Sequence, residues 1–327
     1  MSIASVWEKA TGISIKRKGG SIDTLHVPPF ILKALRVSRT KDAKDECSVQ
    51  PKRIVCVHGL GSSGSAYGGL LPLLSSHWHD IWAPSAPSHG MSPPIPPELF
   101  DSPKIKVERS DSTLEEAQLH ASEERDRFQS IIYQAWERTL LSLSEESPID
   151  VLGVSLGGAV AIRFSARYPE RVSSLMLCSP AGAVLDQEDI AHLKSVFRMS
   201  RPGDGLRFLK TLYHQVPWWG PLLAPLVRLS LNRPEAQELI NRLKPGDGIK
   251  AEEFSALAMP VLLIWGGRER VLPESILNRL IENAPRRLTV LRPEHFSHTP
   301  QKEEPKLLMT HLANFQDMLA REAKIDD

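Results

Sequence analysis

The sequence has few cysteines, little net charge and no long apolar run, and each of these absences argues against a class of protein. Three cysteines in 327 residues are too few for the disulfide framework of a secreted scaffold, and they indicate reduced thiols in a cytoplasmic protein. The formal net charge is +1, so charge gives no reason to expect a nucleic-acid partner. Apolar runs stay below the roughly 18 residues of a membrane span, and the first twenty residues lack the apolar centre of a signal peptide.

The remaining composition is typical of a globular protein with a large core. Hydrophobic residues make up 41% and charged residues 24% of the chain, and this length allows one large α/β domain with an insertion. Short apolar runs alternate with helical patterns, which predicts an α/β class with a doubly wound, mostly parallel sheet covered by helices on both faces. The predicted strands of this sheet lie at 53–57, 81–83, 149–152, 172–178, 260–265 and 288–291.

Three further stretches precede the nucleophile region. Residues 11–17 and 22–27 predict a hairpin through a Gly-Gly turn. Residues 91–104 contain five prolines and fit no regular element, so their role stays open. Residues 112–115 form a capping box that predicts a helix running towards Leu143.

A long insertion is predicted between two of the later strands. Residues 182–257 carry helical patterns without a strand-like run, which predicts an all-helical lid. The predicted domains are therefore a core of residues 1–181 and 258–327 and a lid of residues 182–257.

A G-x-S-x-G motif centred on Ser155 follows the apolar run at 149–152 and begins a helical pattern. A serine between a strand and a helix, with small residues on both sides, is typical of a nucleophile elbow. The turn is strained, and glycines let strand and helix approach closely. The bland alternative is an ordinary helix cap, which explains neither the flanking glycines nor a suitable histidine downstream.

A serine hydroxyl needs a base to take its proton and an acid to orient that base. In folds with a nucleophile elbow, the acid and then the histidine follow the serine along the chain. Glu269 follows the strand at 260–265, and His295 and His298 both follow the strand at 288–291. Catalytic groups lie beyond the carboxyl ends of parallel strands, so these residues are candidates, and two histidines compete for the role of base.

Together these motifs resemble the α/β-hydrolase superfamily, in its lidded serine-hydrolase branch, over about residues 50–95 and 148–315. The superfamily's closing motif is a histidine followed by Pro at +2, an acidic residue at +5 and Pro at +7. His298 fits this motif through Pro300, Glu303 and Pro305, and His295 does not. The resemblance therefore implies that His298 is the base.

The resemblance also implies an acid and an oxyanion hole. The acid loop of the superfamily has the form W-G-x-x-D-x-x-x-P, and Glu269 stands here in place of Asp. Asp186 lies where some relatives place the acid, and it stays the alternative to Glu269. The His-Gly-Leu-Gly stretch at 58–61 resembles the oxyanion loop, so the backbone N–H groups of Leu60 and Leu156 are the expected donors.

These residues imply a serine esterase that acts on a small-molecule carboxylic ester without a metal or organic cofactor. The lid is apolar between Leu206 and Leu231, which favours an apolar or lipid-like substrate. One alternative is the family of C–C bond hydrolases of aromatic degradation, which usually carry Trp after the catalytic histidine, where this chain has Thr299. The other is a catalytically silent binding protein, which would lack the serine or the histidine.

Trp218 and Trp219 form an aromatic pair within the predicted lid. They could form a wall of the substrate site, or they could pack the lid helices together. The oligomeric state and the natural substrate are left open by the sequence.

Overall fold

An eight-stranded sheet lies at the centre of the computed structural model, which describes residues 3–17, 19–38, 52–95, 99 and 131–326. Its strands lie in the order β1-β2-β4-β3-β5-β6-β7-β8. Strand β2 pairs antiparallel with β1 and β4, and all other pairs are parallel. The strands are β1 Gly20–Val27, β2 Phe30–Ser38, β3 Arg53–Val57, β4 Asp80–Pro84, β5 Ile149–Val154, β6 Val172–Cys178, β7 Val261–Ile264 and β8 Leu288–Leu291.

Helices cover both faces of this sheet, as the alternating pattern predicted. The helices are α1 Ile3–Lys16, α2 Leu71–Leu74, α3 with its described part at 131–143, α4 Leu156–Arg167, α5 Gln187–Val196, α6 Asp204–Leu212, α7 Gly220–Leu231, α8 Pro234–Asn241, α9 Ala251–Ser255, α10 Glu274–Glu282, α11 Pro300–Glu303 and α12 Pro305–Asp326. No described helix is long and apolar enough to cross a bilayer.

Two hydrophobic clusters form the core, one on each side of the sheet. Along β5, Val151 faces the cluster beneath α3, α4 and α10, whereas Leu152 faces the cluster beneath α1, α2 and α12. Successive side chains of a strand point to opposite faces, so a strand covered on both sides is apolar at every position. This is why the central strands could be located from continuous apolar runs.

The predicted strand at 11–17 is wrong, because these residues belong to α1. Their buried positions, Gly12 and Ile15, are three residues apart, which is helical spacing. The hairpin forms instead between β1 and β2, with Val27 paired to Phe30. The predicted capping box at 112–115 and residues 96–98 and 100–104 of the proline-rich stretch lie outside the described residues.

The chain between β6 and β7 is described throughout and contains the helices α5 to α9. Its only strand-like pairing is a single bridge between Ala183 and Ile249, which brings the two ends of the insertion together. The helical content agrees with the predicted pattern, and the lid at 182–257 stays a prediction.

A buried carboxylate ties the sheet to α12 near the amino-terminal end of β5. Asp150 accepts hydrogen bonds from the indole N–H of Trp78 at 2.7 Å and from the hydroxyl of Ser174 at 2.6 Å. The Lys52 ammonium lies 3.4 Å away, and Gln316 of α12 donates to the Ser174 hydroxyl at 3.0 Å. One buried side chain therefore satisfies donors from three separate parts of the chain.

Replacing Asp150 with Ala should lower the free energy of unfolding by about 3 kcal/mol, because it leaves the buried donors of Trp78 and Ser174 without an acceptor. The matched control is Glu322→Ala, which removes an exposed ion pair with Arg287 and should cost no more than about 0.5 kcal/mol. Urea unfolding measures both values. Equal losses in the two variants would contradict the structural role of Asp150.

Candidate active site

Ser155 lies on the tight turn between β5 and α4, with φ 55° and ψ −125°. This backbone conformation is costly for a residue with a side chain, so the surrounding structure must hold it. Two hydrogen bonds at the end of β6 do so: the N–H of Ser155 donates to Cys178 O at 3.2 Å, and the N–H of Ala181 donates to Ser155 O at 2.9 Å. The sequence-predicted elbow thus has the expected strand-turn-helix geometry.

Close backbone contacts explain why glycines flank Ser155. A Cβ at Gly157 would lie 2.1 Å from the carbonyl oxygen of Val57, and a Cβ at Gly59 would lie 3.0 Å from the Cβ of Ser155. Only glycine fits at 157, because nothing on the β3 backbone can move aside. The loop that follows β3, with Leu60, is therefore held directly against the Ser155 turn.

His298 and Glu269 form a buried pair, although they come from loops after different strands. The Nδ1 atom of His298 donates to Oε2 of Glu269 at 2.8 Å, and the two side chains are only 5% and 2% exposed. The other oxygen of Glu269 accepts from the N–H groups of Val271 at 2.7 Å and Leu272 at 3.0 Å. The longer glutamate side chain therefore reaches the histidine from a loop whose own backbone anchors it.

The environment of Glu269 keeps its carboxylate ionised. Burial acts to raise the pKa of this carboxyl, but the charge of His298 and hydrogen bonds from His298, Ser179 and Leu272 outweigh it. The pKa of Glu269 therefore lies below its usual value of 4.5. An ionised carboxylate next to Nδ1 fixes the ring orientation and stabilises a positive imidazolium.

The competing sequence candidates lie in other surroundings. Asp186 caps α5, where it accepts from the N–H groups of Glu188 at 2.8 Å and Asp189 at 2.9 Å, and it pairs with Arg279. His295 is exposed, whereas His298 is buried. Burial raises the pKa of the Cys178 thiol to about 12, so this cysteine beside the elbow is protonated and a poor nucleophile.

The two expected oxyanion donors lie on either side of the elbow. Leu156 is the first residue of α4, where an N–H group has no partner within the helix. Leu60 follows Gly59, which lies against Ser155, and precedes a turn in which Ser62 N–H donates to Gly59 O. Among the described residues, neither Leu60 nor Leu156 has a backbone hydrogen-bond acceptor for its N–H group.

His58 supports the loop that carries Leu60. Its Nδ1 donates to Gly59 O at 2.9 Å, and its Nε2 accepts from the N–H of Ala86 at 3.0 Å. Burial lowers the pKa of His58 to about 3, and the nearby His89 ring adds to this effect. The ring is therefore neutral, and its two hydrogen bonds hold this loop in place.

The pKa of His58 makes stability depend on pH in a defined window. The unfolded chain takes up a proton below about pH 6.5, but the folded chain does not until about pH 3, so stability is lost as the pH falls through this range. The loss due to His58 should approach about 1.4 kcal/mol per pH unit.

Urea unfolding of the protein and of His58→Gln at about pH 7 and about pH 5 measures the effect. The variant should be less stable at neutral pH but lose less stability on acidification. Parallel losses in the two proteins would contradict the assignment of a buried neutral ring.

Glu303 connects the helical insertion to the loop that carries His298, a role that its motif position did not predict. Its Oε1 accepts from the N–H groups of His214 at 2.9 Å and Gln215 at 3.3 Å, both in the loop between α6 and α7. Its Oε2 accepts from the hydroxyl of Ser297. Arg268, next to Glu269, contacts the His214 ring with 2.7 Å between Nη1 and Nδ1.

The insertion also contacts the loop that carries Leu60. A Cβ at Gly61 would lie 2.7 Å from Cδ2 of Leu231, the last residue of α7. The guanidinium of Arg233 donates to Ser88 O at 3.4 Å. Helices of the insertion thus lie against two loops at the carboxyl edge of the sheet. The described residues contain no group of three or more His, Cys, Asp or Glu side chains that could hold a metal ion.

Comparison with known proteins places this geometry in a family. The chain is 24% identical over 266 residues to a pimeloyl-[acyl-carrier protein] methyl ester esterase of Neisseria meningitidis serogroup B. The alignment covers 76% of this chain and 86% of that protein. A putative lipase from Acinetobacter baumannii AYE superposes with a TM-score of 0.69 at 17% identity, over 97% of both chains. A meta-cleavage product hydrolase from Pseudomonas fluorescens IP01 superposes with a TM-score of 0.64 at 18% identity, over 93% of this chain and 99% of that one.

At such identities the two superpositions show the fold alone, and the family follows from the sequence. The profile of the alpha/beta hydrolase family matches residues 54–308, a range that includes Ser155, Glu269 and His298. This range covers most of the chain and every strand from β4 to β8. The chain belongs to the alpha/beta hydrolase family.

Proposed function

We propose that this hydrolase cleaves a carboxylic ester through an acyl-enzyme intermediate, with Ser155, His298 and Glu269 as its catalytic triad. The observation that carries the proposal is the buried hydrogen bond between His298 and Glu269, in a fold that also holds Ser155 on a strained turn. A base already oriented by an ionised carboxylate is what a serine hydroxyl needs for attack at neutral pH.

In the proposed reaction, Ser155 Oγ attacks the ester carbonyl carbon while Nε2 of His298 takes the hydroxyl proton. The carbonyl electrons move to oxygen, and the N–H groups of Leu60 and Leu156 stabilise the resulting oxyanion. When the carbonyl re-forms, the bond to the alkoxide breaks and His298 returns the proton to this leaving group. Water, deprotonated by His298, then attacks the acyl-enzyme by the same route and releases the acid and free Ser155.

The contacts of the insertion and the names of the relatives both bear on the substrate class. We take residues 182–257 to be a lid, since Leu231 contacts the oxyanion loop and the loop at His214 contacts Glu303. Leu231, which places an apolar side chain against the loop with Leu60, favours an apolar or lipid-like ester. The names of the Neisseria relative, a methyl ester esterase, and of the Acinetobacter structure, a putative lipase, agree with ester chemistry.

The two alternative functions from the sequence receive less support. C–C bond hydrolysis shares the triad and the fold, and a meta-cleavage product hydrolase is among the structural neighbours. However, Thr299 follows His298 where such enzymes usually carry Trp. A catalytically silent protein has no need of a strained serine or of a buried carboxylate, both of which cost stability.

A fluorophosphonate probe tests the nucleophile. The protein should gain the mass of one phosphonyl group, with the adduct on the peptide that contains Ser155, because the probe reacts with activated serines. Ser155→Ala should give no adduct and should keep its circular dichroism spectrum. An unlabelled wild-type protein, or labelling that persists in Ser155→Ala, would contradict the proposal.

Two alanine substitutions, each of which removes one carboxylate, test which residue is the acid of the triad. Glu269→Ala should lower kcat for a short-chain nitrophenyl ester by about 10³–10⁴-fold, because the ring of His298 loses its orienting partner. Asp186→Ala should leave kcat within about two-fold and lower the free energy of unfolding by about 1 kcal/mol, since it removes a helix cap. The reverse pattern would assign the acid to Asp186.

A further inference from the structure

An apolar stripe is exposed on the outer face of α7 and the turn before it. Trp218 is 86% exposed, Leu222 73% and Leu229 61%, and these positions are four and seven residues apart, so they share one side of the helix. Pro221 and Pro225 on the same side are also exposed. We call these five residues, 218, 221, 222, 225 and 229, the α7 stripe.

The opposite face of α7 already has its packing partners. Ala224 lies in a small buried cluster with Leu209 and Tyr213, and a Cβ at Gly205 of α6 would lie 2.0 Å from Ala224 O. Trp218 is 86% exposed, so it is not buried between the helices that the structure describes. Its neighbour Trp219 is partly buried.

The chain segment that carries the α7 stripe has charge of almost one sign. From Ile190 to Arg233 the only acidic residue is Asp204, which is buried and hydrogen-bonded to Arg201 and Arg207. The basic residues of this region, in a chain of net charge +1, are Lys194, Arg198, Arg201, Arg207, Lys210, Arg228 and Arg233. The segment at 215–227, which includes most of the stripe, carries no charged residue.

We infer that the α7 stripe docks on the surface of an anionic lipid bilayer. An exposed Trp and Leu face with basic residues around it is the composition of helices that lie in the membrane interface. Since α7 has 12 residues, it is too short to span a bilayer and lies in the plane of the surface. The basic residues draw this face to anionic headgroups, and Trp218, Leu222 and Leu229 enter the boundary with the acyl chains.

Charge complementarity favours an anionic membrane over a second copy of the chain as the partner of the α7 stripe. Self-association through the stripe would bring two segments of the same positive charge together, and the one acid of this segment, Asp204, is buried and already hydrogen-bonded, which disfavours such a dimer. An anionic membrane offers both the apolar layer and the opposite charge. The docking does not depend on the proposed ester hydrolysis, because it is a binding event that can be measured on Ser155→Ala.

Co-sedimentation with lipid vesicles tests the inference. The protein should pellet with phosphatidylcholine vesicles that contain about one third phosphatidylglycerol, much less with pure phosphatidylcholine, and more weakly at high salt. The double variant Trp218→Ser/Leu222→Ser should lower the partition coefficient by at least about ten-fold, because two large apolar side chains no longer leave water.

The matched control is Ile281→Ser/Leu307→Ser, which removes two exposed apolar side chains from α10 and α12 and should bind vesicles as the wild type does. Lys210→Glu/Arg233→Glu should lose the preference for anionic vesicles. Since Trp218 and Leu222 are exposed, their variant should keep the melting temperature of the wild type. If that variant folds poorly, Leu229→Gln provides a second measurement of how the stripe contributes to vesicle binding.

Three results would overturn the inference. The first is a wild-type protein that stays in solution with anionic vesicles, and the second is equal vesicle binding by the wild type and both stripe variants. The third is a wild-type protein that does not bind vesicles and that sedimentation velocity shows to be a dimer, while the stripe variant is a monomer. That last result would make the stripe a contact between copies of the chain.

Discussion

The close approach of α4 to the end of β3 is the contact on which the candidate site depends. With 2.1 Å between a hypothetical Cβ of Gly157 and Val57 O, the two backbones touch and no side chain fits between them. This contact forces the reversal at Ser155 and sets the loop with Leu60 beside the hydroxyl. One steric constraint thus positions Ser155 and the backbone N–H groups of Leu60 and Leu156, and it does so with rigid elements, which hold such groups more precisely than mobile side chains.

The remaining site residues are held by contacts between loops. The loop with Glu269 and the loop with His298 join through a hydrogen bond from Arg268 N–H to Phe296 O at 3.0 Å. Both loops also contact His214 of the insertion, one through Arg268 and the other through Glu303. Three segments that are distant in sequence therefore hold the His298–Glu269 pair in place.

Sequence patterns predicted the strands and the turn whose formation depends on neighbouring residues. Strands β3 to β8 were found because burial on both faces requires an apolar run, and the elbow was found because its turn requires glycines. Residues 11–17 were misassigned because Ile13 and Ile15 alternate like a strand while burial follows Gly12 and Ile15. The choice between Glu269 and Asp186 stayed open because no local rule says which carboxylate meets His298. The contact of Glu303 with His214 spans 89 residues, and nothing near either residue signals it.

The position of Glu303 has a thermodynamic consequence. Helix α11, which ends at Glu303, begins two residues after His298, so displacing the loop between α6 and α7 breaks hydrogen bonds to the segment that carries the histidine. By linkage, whatever orders the His298 segment also favours these contacts of the loop, and the reverse holds with the same free energy. The position of the loop at His214 and the order of the His298 segment are thus coupled in a single equilibrium.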